Sequence, residues 1–463
     1  MTAPFSANDV VRWTGGNLVA GNPQTLFTAA VIDSRQVSDG HLFTAIEGPH
    51  HDAHRFVPQV LAAGAAGVLV RRGSAVPADS ACVIEVDDTL AALAAVAAGH
   101  RALFEGPVVA ITGSSGKTTT KEMCAAILSA DGPCLKTQGN LNNEFGLPLT
   151  LLRREAQHQR LVVELGMNHR GEIARLAAIA KPSIALVTNC GVAHIEFLGS
   201  VEAIAEEKGD LYASLGPNGV AIANLDDPLA SAQARRFKGR VIEYACGRRG
   251  DVRALNPQFV DGEAFAFELE TPDGQACLRV AGLGETTVTN AAGAAAAALA
   301  AGVGLEAIVT GLGAYRPPPG RMTRYPIADG ATLIDDSYNA NPASMQTSLQ
   351  ALSALAISAR AIAVVGDMGE LGKAGDDAHR ETGRIAAKLG IDWLIAIGER
   401  APRVIEGARE AGMPPARSLV ASGTDTAIRL VRECLQKNDW VLIKGSRAMK
   451  LERVVEALRG RTK

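Results

Sequence analysis

Short apolar runs bounded by glycine, proline or charged residues recur along this 463-residue chain. The runs at 108–112, 161–165, 184–188 and 220–224 each precede or follow a stretch with helical amphipathic spacing. Buried strands alternating with helices predict a doubly wound parallel sheet. From about 241 to 280 the pattern turns β-like, with breaks at Gly247, Gly262 and Pro272-Asp273-Gly274. A breaker cluster, Pro317-Pro318-Pro319-Gly320, precedes a second alternation, with strands expected at 333–335, 361–365, 394–397 and 440–443. Ahead of both, strand-like stretches at 68–70 and 82–86 sit among Gly-, Pro- and His-rich loops, and the alanine-rich stretch 90–103 reads as a helical linker. The expectation is an α/β protein of three domains, at 1–88, 89–315 and 316–463.

Composition narrows the chemistry. The length exceeds one ordinary core, which agrees with several domains. A net charge of −3 and only 4% aromatic residues provide neither a basic surface nor stacking platforms, so no nucleic acid is expected as partner. The seven cysteines are scattered without a C-x-x-C pair, so neither disulfides nor zinc are suggested. The N-terminus lacks a basic region followed by an apolar stretch, and the run at about 291–305 is mostly alanine and glycine, short of the ~20 strongly apolar residues of a membrane span. A cytoplasmic, monomeric enzyme without a membrane span is expected.

The densest signal is Ile111-Thr112-Gly113-Ser114-Ser115-Gly116-Lys117-Thr118-Thr119. A buried strand precedes it and a helix is expected over 119–129. Glycines let the loop curl its N–H groups toward an anion, and the helix N-terminus adds its positive end. Lys117 would reach the β- and γ-phosphates of ATP, and the Thr118 hydroxyl would bind Mg²⁺. The spacing is shorter than G-x-x-x-x-G-K-[ST], because position 111 is isoleucine and the first glycine is Gly113. The plain alternative is a Gly/Ser turn capped by threonine.

Further along, Glu164 ends an apolar run and precedes Gly166, at the sheet edge where ligands of open α/β sheets collect. It is a second oxygen ligand for Mg²⁺ or a structural loop anion. His194 follows another strand through a loop; a lone histidine is usually structural or solvated. Lys208 lies in Glu206-Glu207-Lys208-Gly209-Asp210, which on residue type alone is a solvated helical charge run.

Together these residues resemble the Mur ligase family over essentially the whole chain. The resemblance rests on T-G-S-S-G-K-T-T-T-K-E-M at 112–123, L-N-N-E-F-G at 141–146, E-L-G-M-N-H-R-G-E-I at 164–173, P-G-R at 319–321 and D-D-S-Y-N-A-N-P at 335–342. V-V-G-D-M-G-E-L-G at 364–372 and K-G-S-R at 444–447 resemble the member that adds D-alanyl-D-alanine to UDP-N-acetylmuramoyl-tripeptide. A sister ligase's D-N-P-R motif, used for diaminopimelate, is absent.

The resemblance implies an N-terminal uridine-nucleotide domain, a central ATPase domain and a C-terminal Rossmann-like domain. It implies that Ser34, Arg35 and the loop around Thr44 hold the UDP-sugar, and that Asn142 and Asn143 lie near the sugar-peptide and metal. Lys208, fourteen positions after His194, would be carbamylated; an ammonium only donates, whereas a carbamate offers anionic oxygens to Mg²⁺. One Mg²⁺ would sit on Thr118 and Glu164, a second on His194 and Lys208. Asn290 would meet adenine, with a helix N-cap as its plain alternative. Arg321 and Asp336 would surround ribose and phosphates. Tyr338, Asn339 and Asn341 would line the dipeptide site. Lys444 and Arg447 would meet phosphate or dipeptide, or form an exposed basic turn.

The implied reaction is ligation through an acyl phosphate. A nucleotide-switched ATPase using the same loop is the competing class. The sequence leaves the acceptor's third residue, lysine or diaminopimelate, undetermined.

Overall fold

The computed structural model describes residues 3–48, 51–77, 81–192, 195–247 and 249–460, and three sheets organise them. The first orders its strands Asn17–Ala20, Cys82–Val86, Gly67–Arg71, His41–Thr44 and Ala29–Val31, parallel except for the Asn17–Ala20 edge. A two-stranded ribbon, Phe5–Ser6 with Leu26–Phe27, stands beside it.

The central sheet has nine strands. From Cys134–Lys136 through Arg160–Glu164, Val108–Thr112, Ile184–Val187, Val220–Asn224 and Arg240–Cys246 to Val252–Val260 all pairings are parallel. Ala264–Thr271 and Gly274–Ala281 add an antiparallel edge. Every residue of Val108–Thr112 is buried, the pattern of a parallel strand covered on both faces. The chain leaves this strand toward Cys134–Lys136 on one side and later returns to Ile184–Val187 on the other. Its carboxyl end is therefore a switch point, where a crevice opens.

The third sheet orders Thr323–Pro326, Thr332–Asp336, Trp440–Lys444, Ala361–Gly366, Trp393–Ile397 and Ser418–Ala421, parallel except for its first strand. Inserting the last strand of the chain between two earlier ones sets Lys444 in register with Asp336. The edge strands Thr323–Pro326 and Ser418–Ala421 were not expected from the pattern: the first lacks an apolar run and the second has only the three-residue run Leu419-Val420-Ala421.

Two helices depart from the sequence reading. Thr89–Ala102, expected as a linker, is a core element: Leu93, Val96 and Ala97 share one buried cluster with Phe5 and Val10 and with Val108 and Leu161 of the central sheet. The apolar core therefore runs unbroken from the first sheet into the second. Asp88 caps this helix, accepting from the N–H groups of Leu90 and Ala91 at 2.8 and 3.0 Å. The alanine-rich helix, Thr286–Ala300, begins earlier than the Asn290 cap reading requires, so Asn290 lies inside it. Small residues let helices close on one another here: a Cβ on Gly311 would come within 2.3 Å of the Ile127 backbone. Among the described residues no helix is long and apolar enough to cross a membrane.

Candidate active site

Strand Val108–Thr112 ends at Gly113, whose φ is +151°, and an added Cβ there would lie 1.9 Å from Thr188 Oγ1. Gly116, at φ +76°, turns the chain into helix Lys117–Ala130. Only glycine takes both positions cheaply. The helix N-terminus thus faces the crevice with its positive end.

The exit of the next strand holds the loop from outside. Thr188 Oγ1 donates to Ser115 O at 2.6 Å, and Asn189 Nδ2 donates to the same oxygen at 3.1 Å. Asn189 Oδ1 accepts from the Ser115 N–H at 2.9 Å, and Ser114 Oγ donates to Gly191 O at 2.9 Å. Sequence reasoning passed over Thr188 and Asn189. The available signal was their place at a strand's carboxyl end beside the phosphate-type loop.

Lys117 Nζ donates to Gly113 O at 2.6 Å. Burial holds its ammonium below the ordinary lysine range; Glu164 and Glu370 oppose that shift and Arg321 adds to it. Arg321 Nη2 donates to Thr118 Oγ1 at 3.1 Å and its guanidinium stacks 4.2 Å from the Tyr338 ring centroid. Asn341 caps helix Pro342–Leu355 and also donates to Ser114 O at 3.3 Å. Segments flanking the third sheet thus reach the phosphate-type loop directly. The segment carrying Arg321 is tied to that sheet, since Gly320 N–H donates to Asp335 Oδ2 at 3.1 Å.

Glu164 ends strand Arg160–Glu164 and is 2% exposed. Its Oε1 accepts from Asn142 Nδ2 at 2.8 Å, and its N–H donates to Thr137 Oγ1 at 3.0 Å. Buried Lys121 in turn donates to Thr137 O at 2.8 Å. Glu164 Oε2 is buried with no hydrogen-bond partner. A fixed, orphaned carboxylate oxygen beside a phosphate-type loop fits a hard cation. Asn143 differs from its neighbour: its Oδ1 accepts from Gly146 N–H at 2.9 Å and closes the following turn.

Lys208 corrects the charge-run reading. Helix Val201–Ala213 buries Ile204, Glu207, Lys208, Leu211 and Tyr212, so the helical period puts Lys208 on the core face at 1% exposure. Glu207 is also buried, accepting the N–H groups of Gly171 and Ile173 at 2.7 and 3.0 Å. Burial, and next the Lys117 charge, bring the Lys208 ammonium down to about 7. His194 lies outside the described residues. Among the described residues no cluster of three or more His, Cys, Asp or Glu is poised for a metal.

Lys444 is 2% exposed, which corrects the exposed-turn reading for it. Its Nζ donates to Asp336 Oδ2 at 2.5 Å and to Asn339 O at 3.0 Å. Asp336 also accepts from Ser348 Oγ at 2.7 Å and Met322 N–H at 3.2 Å. Its carboxylate, expected at the nucleotide, is already occupied by protein donors. Arg447 is exposed, paired with Glu452 at 3.0 Å and 5.7 Å from the Tyr338 centroid.

A cavity of about 1440 Å³ joins the two walls, lined by Ser114 to Thr119, Asn142, Asn143, Glu164, Asn290, Arg321, Asp336, Tyr338, Asn339, Asn341, Lys444 and Arg447. Asn290 Oδ1 accepts from Thr120 Oγ1 at 3.2 Å. Residues 111–298 match the Mur ligase middle domain, and residues 320–447 match the Mur ligase glutamate ligase domain. The chain belongs to the Mur ligase family.

Within that family, the UDP-N-acetylmuramoyl-tripeptide–D-alanyl-D-alanine ligase of Escherichia coli is 37% identical, over 93% of this chain and 93% of its own. The crystal structure of MurF from Acinetobacter baumannii superposes with a TM-score of 0.89 at 35% identity, covering 99% of each chain. MurF from Thermotoga maritima, solved in complex with ADP, gives 0.82 at 29% identity over 94% of this chain and 97% of its own.

Not every expected residue converges on the cavity. Ser34 and Arg35 lie in the short 3₁₀ turn Ser34–Gln36, where Asp33 accepts from Arg35 Nη2 at 2.7 Å. Thr44 is the fully buried last residue of strand His41–Thr44, and its Oγ1 has no partner. None of the three lines the central cavity.

Proposed function

We propose that this chain joins D-alanyl-D-alanine to UDP-N-acetylmuramoyl-tripeptide at the expense of ATP, in cytoplasmic peptidoglycan precursor synthesis, as a monomer. One observation carries the mechanism: a single cavity holds Lys117 and the partnerless Glu164 oxygen on one wall and Arg321 and Lys444 on the other. The substrates follow from the relatives' names. We assign residues 1–88 to the UDP-sugar, through Ser34, Arg35 and the strand end at Thr44, residues 89–315 to ATP, and residues 316–463 to nucleotide and dipeptide.

The tripeptide's terminal carboxylate attacks the γ-phosphorus. A C–O–P bond forms as the bond to the ADP oxygen breaks. The dipeptide amine then adds to the acyl carbon and loses a proton, and the tetrahedral intermediate expels phosphate. Two anions meet in the first step, so the protein's contribution is charge placement. The 113–119 loop cradles the phosphates, and Lys117 leaves Gly113 O for the γ-phosphate. Arg321 covers the phosphates from the facing wall, and Asn290 takes the adenine. Asp336 acts by holding Lys444, which meets phosphate or dipeptide with Arg447, while Tyr338, Asn339 and Asn341 shape the dipeptide site. Bound Mg²⁺ would neutralise charge between the anions, one ion on Thr118 and Glu164 and a second on His194 and carbamylated Lys208. A buried lysine near 7 offers the neutral amine that carbamate formation needs.

The acyl phosphate is tested with ¹⁸O in the tripeptide's terminal carboxylate. One labelled oxygen should appear in the released phosphate. Unlabelled phosphate, or brisk hydrolysis of ATP without either co-substrate, contradicts the mechanism and favours a nucleotide switch.

A further inference from the structure

The stretch at 364–372 leaves strand Ala361–Gly366 and runs along the C-terminal wall, where Gly369 and Glu370 line the cavity. Anchors from outside hold it. Asp367 accepts the N–H groups of Glu399 and Arg400 at 2.8 and 3.1 Å, and its carbonyl accepts from Ser446 N–H at 2.9 Å. Met368 N–H donates to His379 Nε2 at 2.9 Å. Glu370 stands at φ +60°, costly for a residue with a side chain, so the loop's shape is imposed by these anchors.

His379 lies in helix Gly375–Lys388 at 1% exposure, its Nδ1 2.6 Å from Gly375 O. A carbonyl only accepts, so Nδ1 carries the hydrogen and Nε2 is left as the acceptor that Met368 needs. An imidazolium donates from both nitrogens and would leave a buried amide facing a second N–H.

We propose that His379, as the neutral Nδ1–H ring, is a positioning residue that sets the 367–370 loop against the amine-substrate side of the site and releases it on protonation. That the amine is the substrate affected rests on the functional reading above. The loop adjoins Ser446, next to Arg447, and its Glu370 end, whose charge reaches Lys117, is held separately, Glu370 O accepting from Glu196 N–H at 3.3 Å.

Asp367 lies 3.9 Å from Nε2, and the charges of Arg400 and Asp376 act on the ring after it. On helix Ala401–Glu410, Arg403, Glu406 and Glu410 pair with Asp376, Arg380 and Arg384, and Arg409 donates to Ser418 O at 2.9 Å. Helix Pro342–Leu355 contributes no charged residue. Burial prevails and keeps the ring below the ordinary histidine range. A base whose folded value is depressed holds its loop fully above the ordinary range and loses it as pH falls through the folded value.

The test measures kcat and KM for ATP and for D-alanyl-D-alanine from about pH 5 to 8 in wild type, His379→Leu and His379→Gln, with amide exchange at Met368 in wild type and His379→Gln. His379→Leu should raise the dipeptide KM about tenfold and leave the ATP KM within about twofold. His379→Gln, whose carboxamide oxygen stands in for Nε2, should restore most of the affinity and abolish the acid-side rise in dipeptide KM. Met368 exchange should quicken at acid pH in wild type, beyond its intrinsic pH dependence, and not in His379→Gln. Equal effects on both substrates, an acid-side rise that survives in His379→Gln, or pH-independent Met368 protection would each overturn the proposal. Should His379→Leu fail to fold, the glutamine variant and the exchange data decide. If wild type makes no amide from D-alanyl-D-alanine, the functional reading fails, and Met368 exchange still judges His379.

Discussion

Two lysines stand at the carboxyl edges of two parallel sheets and are held in opposite ways. Lys117 follows strand Val108–Thr112 on a glycine-built loop and touches one carbonyl, Gly113 O. Lys444 is the last residue of its strand, locked in a buried ion pair with Asp336 and bonded to Asn339 O. The first arrangement is easily exchanged for a ligand phosphate. The second fixes a charge in place before any ligand arrives. On the proposed function, the Lys117 wall would adapt to nucleotide and the Lys444 wall would act as a rigid template for the other substrates.

Four outcomes would sharpen or break that contrast. The largest belongs to Lys117→Ala, which should cut turnover ~10³-fold or more with unchanged thermal stability, checked by steady-state rates and calorimetry. Lys444→Met should act on the fold instead, removing ~3–5 kcal/mol in a denaturant titration because Asp336 keeps a buried, unbalanced charge. Adding Asp336→Asn should recover much of that loss; failure to recover would mean the pair is not the lock described.

Lys208 gives a pH signature. Its folded value of about 7 lies below the ordinary 10.5, so the unfolded chain binds the extra proton between those limits. In CO₂-free buffer stability should therefore rise with pH across that window, by ~1.4 kcal/mol per unit from this group, and flatten below it. Lys208→Met should lack that contribution. The smallest effect is expected for Asn189→Ala, which loosens the phosphate-type loop by ~1 kcal/mol and shows as a modest rise in ATP KM.

How far the sequence announced these features depended on how locally each is built. The phosphate-type loop is contiguous, and its strand, glycines, lysine and helix were all legible. The parallel sheets followed from apolar runs, while the edge strand Thr323–Pro326 has none and Ser418–Ala421 only a short one, partly exposed. For Lys208 the charged neighbours favour a solvated face on residue type alone, although Ile204, Leu211 and Tyr212 at helical spacing mark that face as inward. The Asp336–Lys444 lock joins residues 108 positions apart and arises only because the last strand inserts beside Thr332–Asp336. Asn189 was invisible for the same reason: its contacts reach 74 positions back to Ser115.

On the proposed function, ATP is committed to a carboxylate only when the wall that holds Lys444 has bound the right amine. A matrix of UDP-N-acetylmuramoyl peptides against candidate amines, read as ADP formation, tests it directly. Rapid ADP formation should require UDP-N-acetylmuramoyl-tripeptide and D-alanyl-D-alanine together. Equal ADP formation with ATP alone, or with a single amino acid replacing the dipeptide, would contradict it.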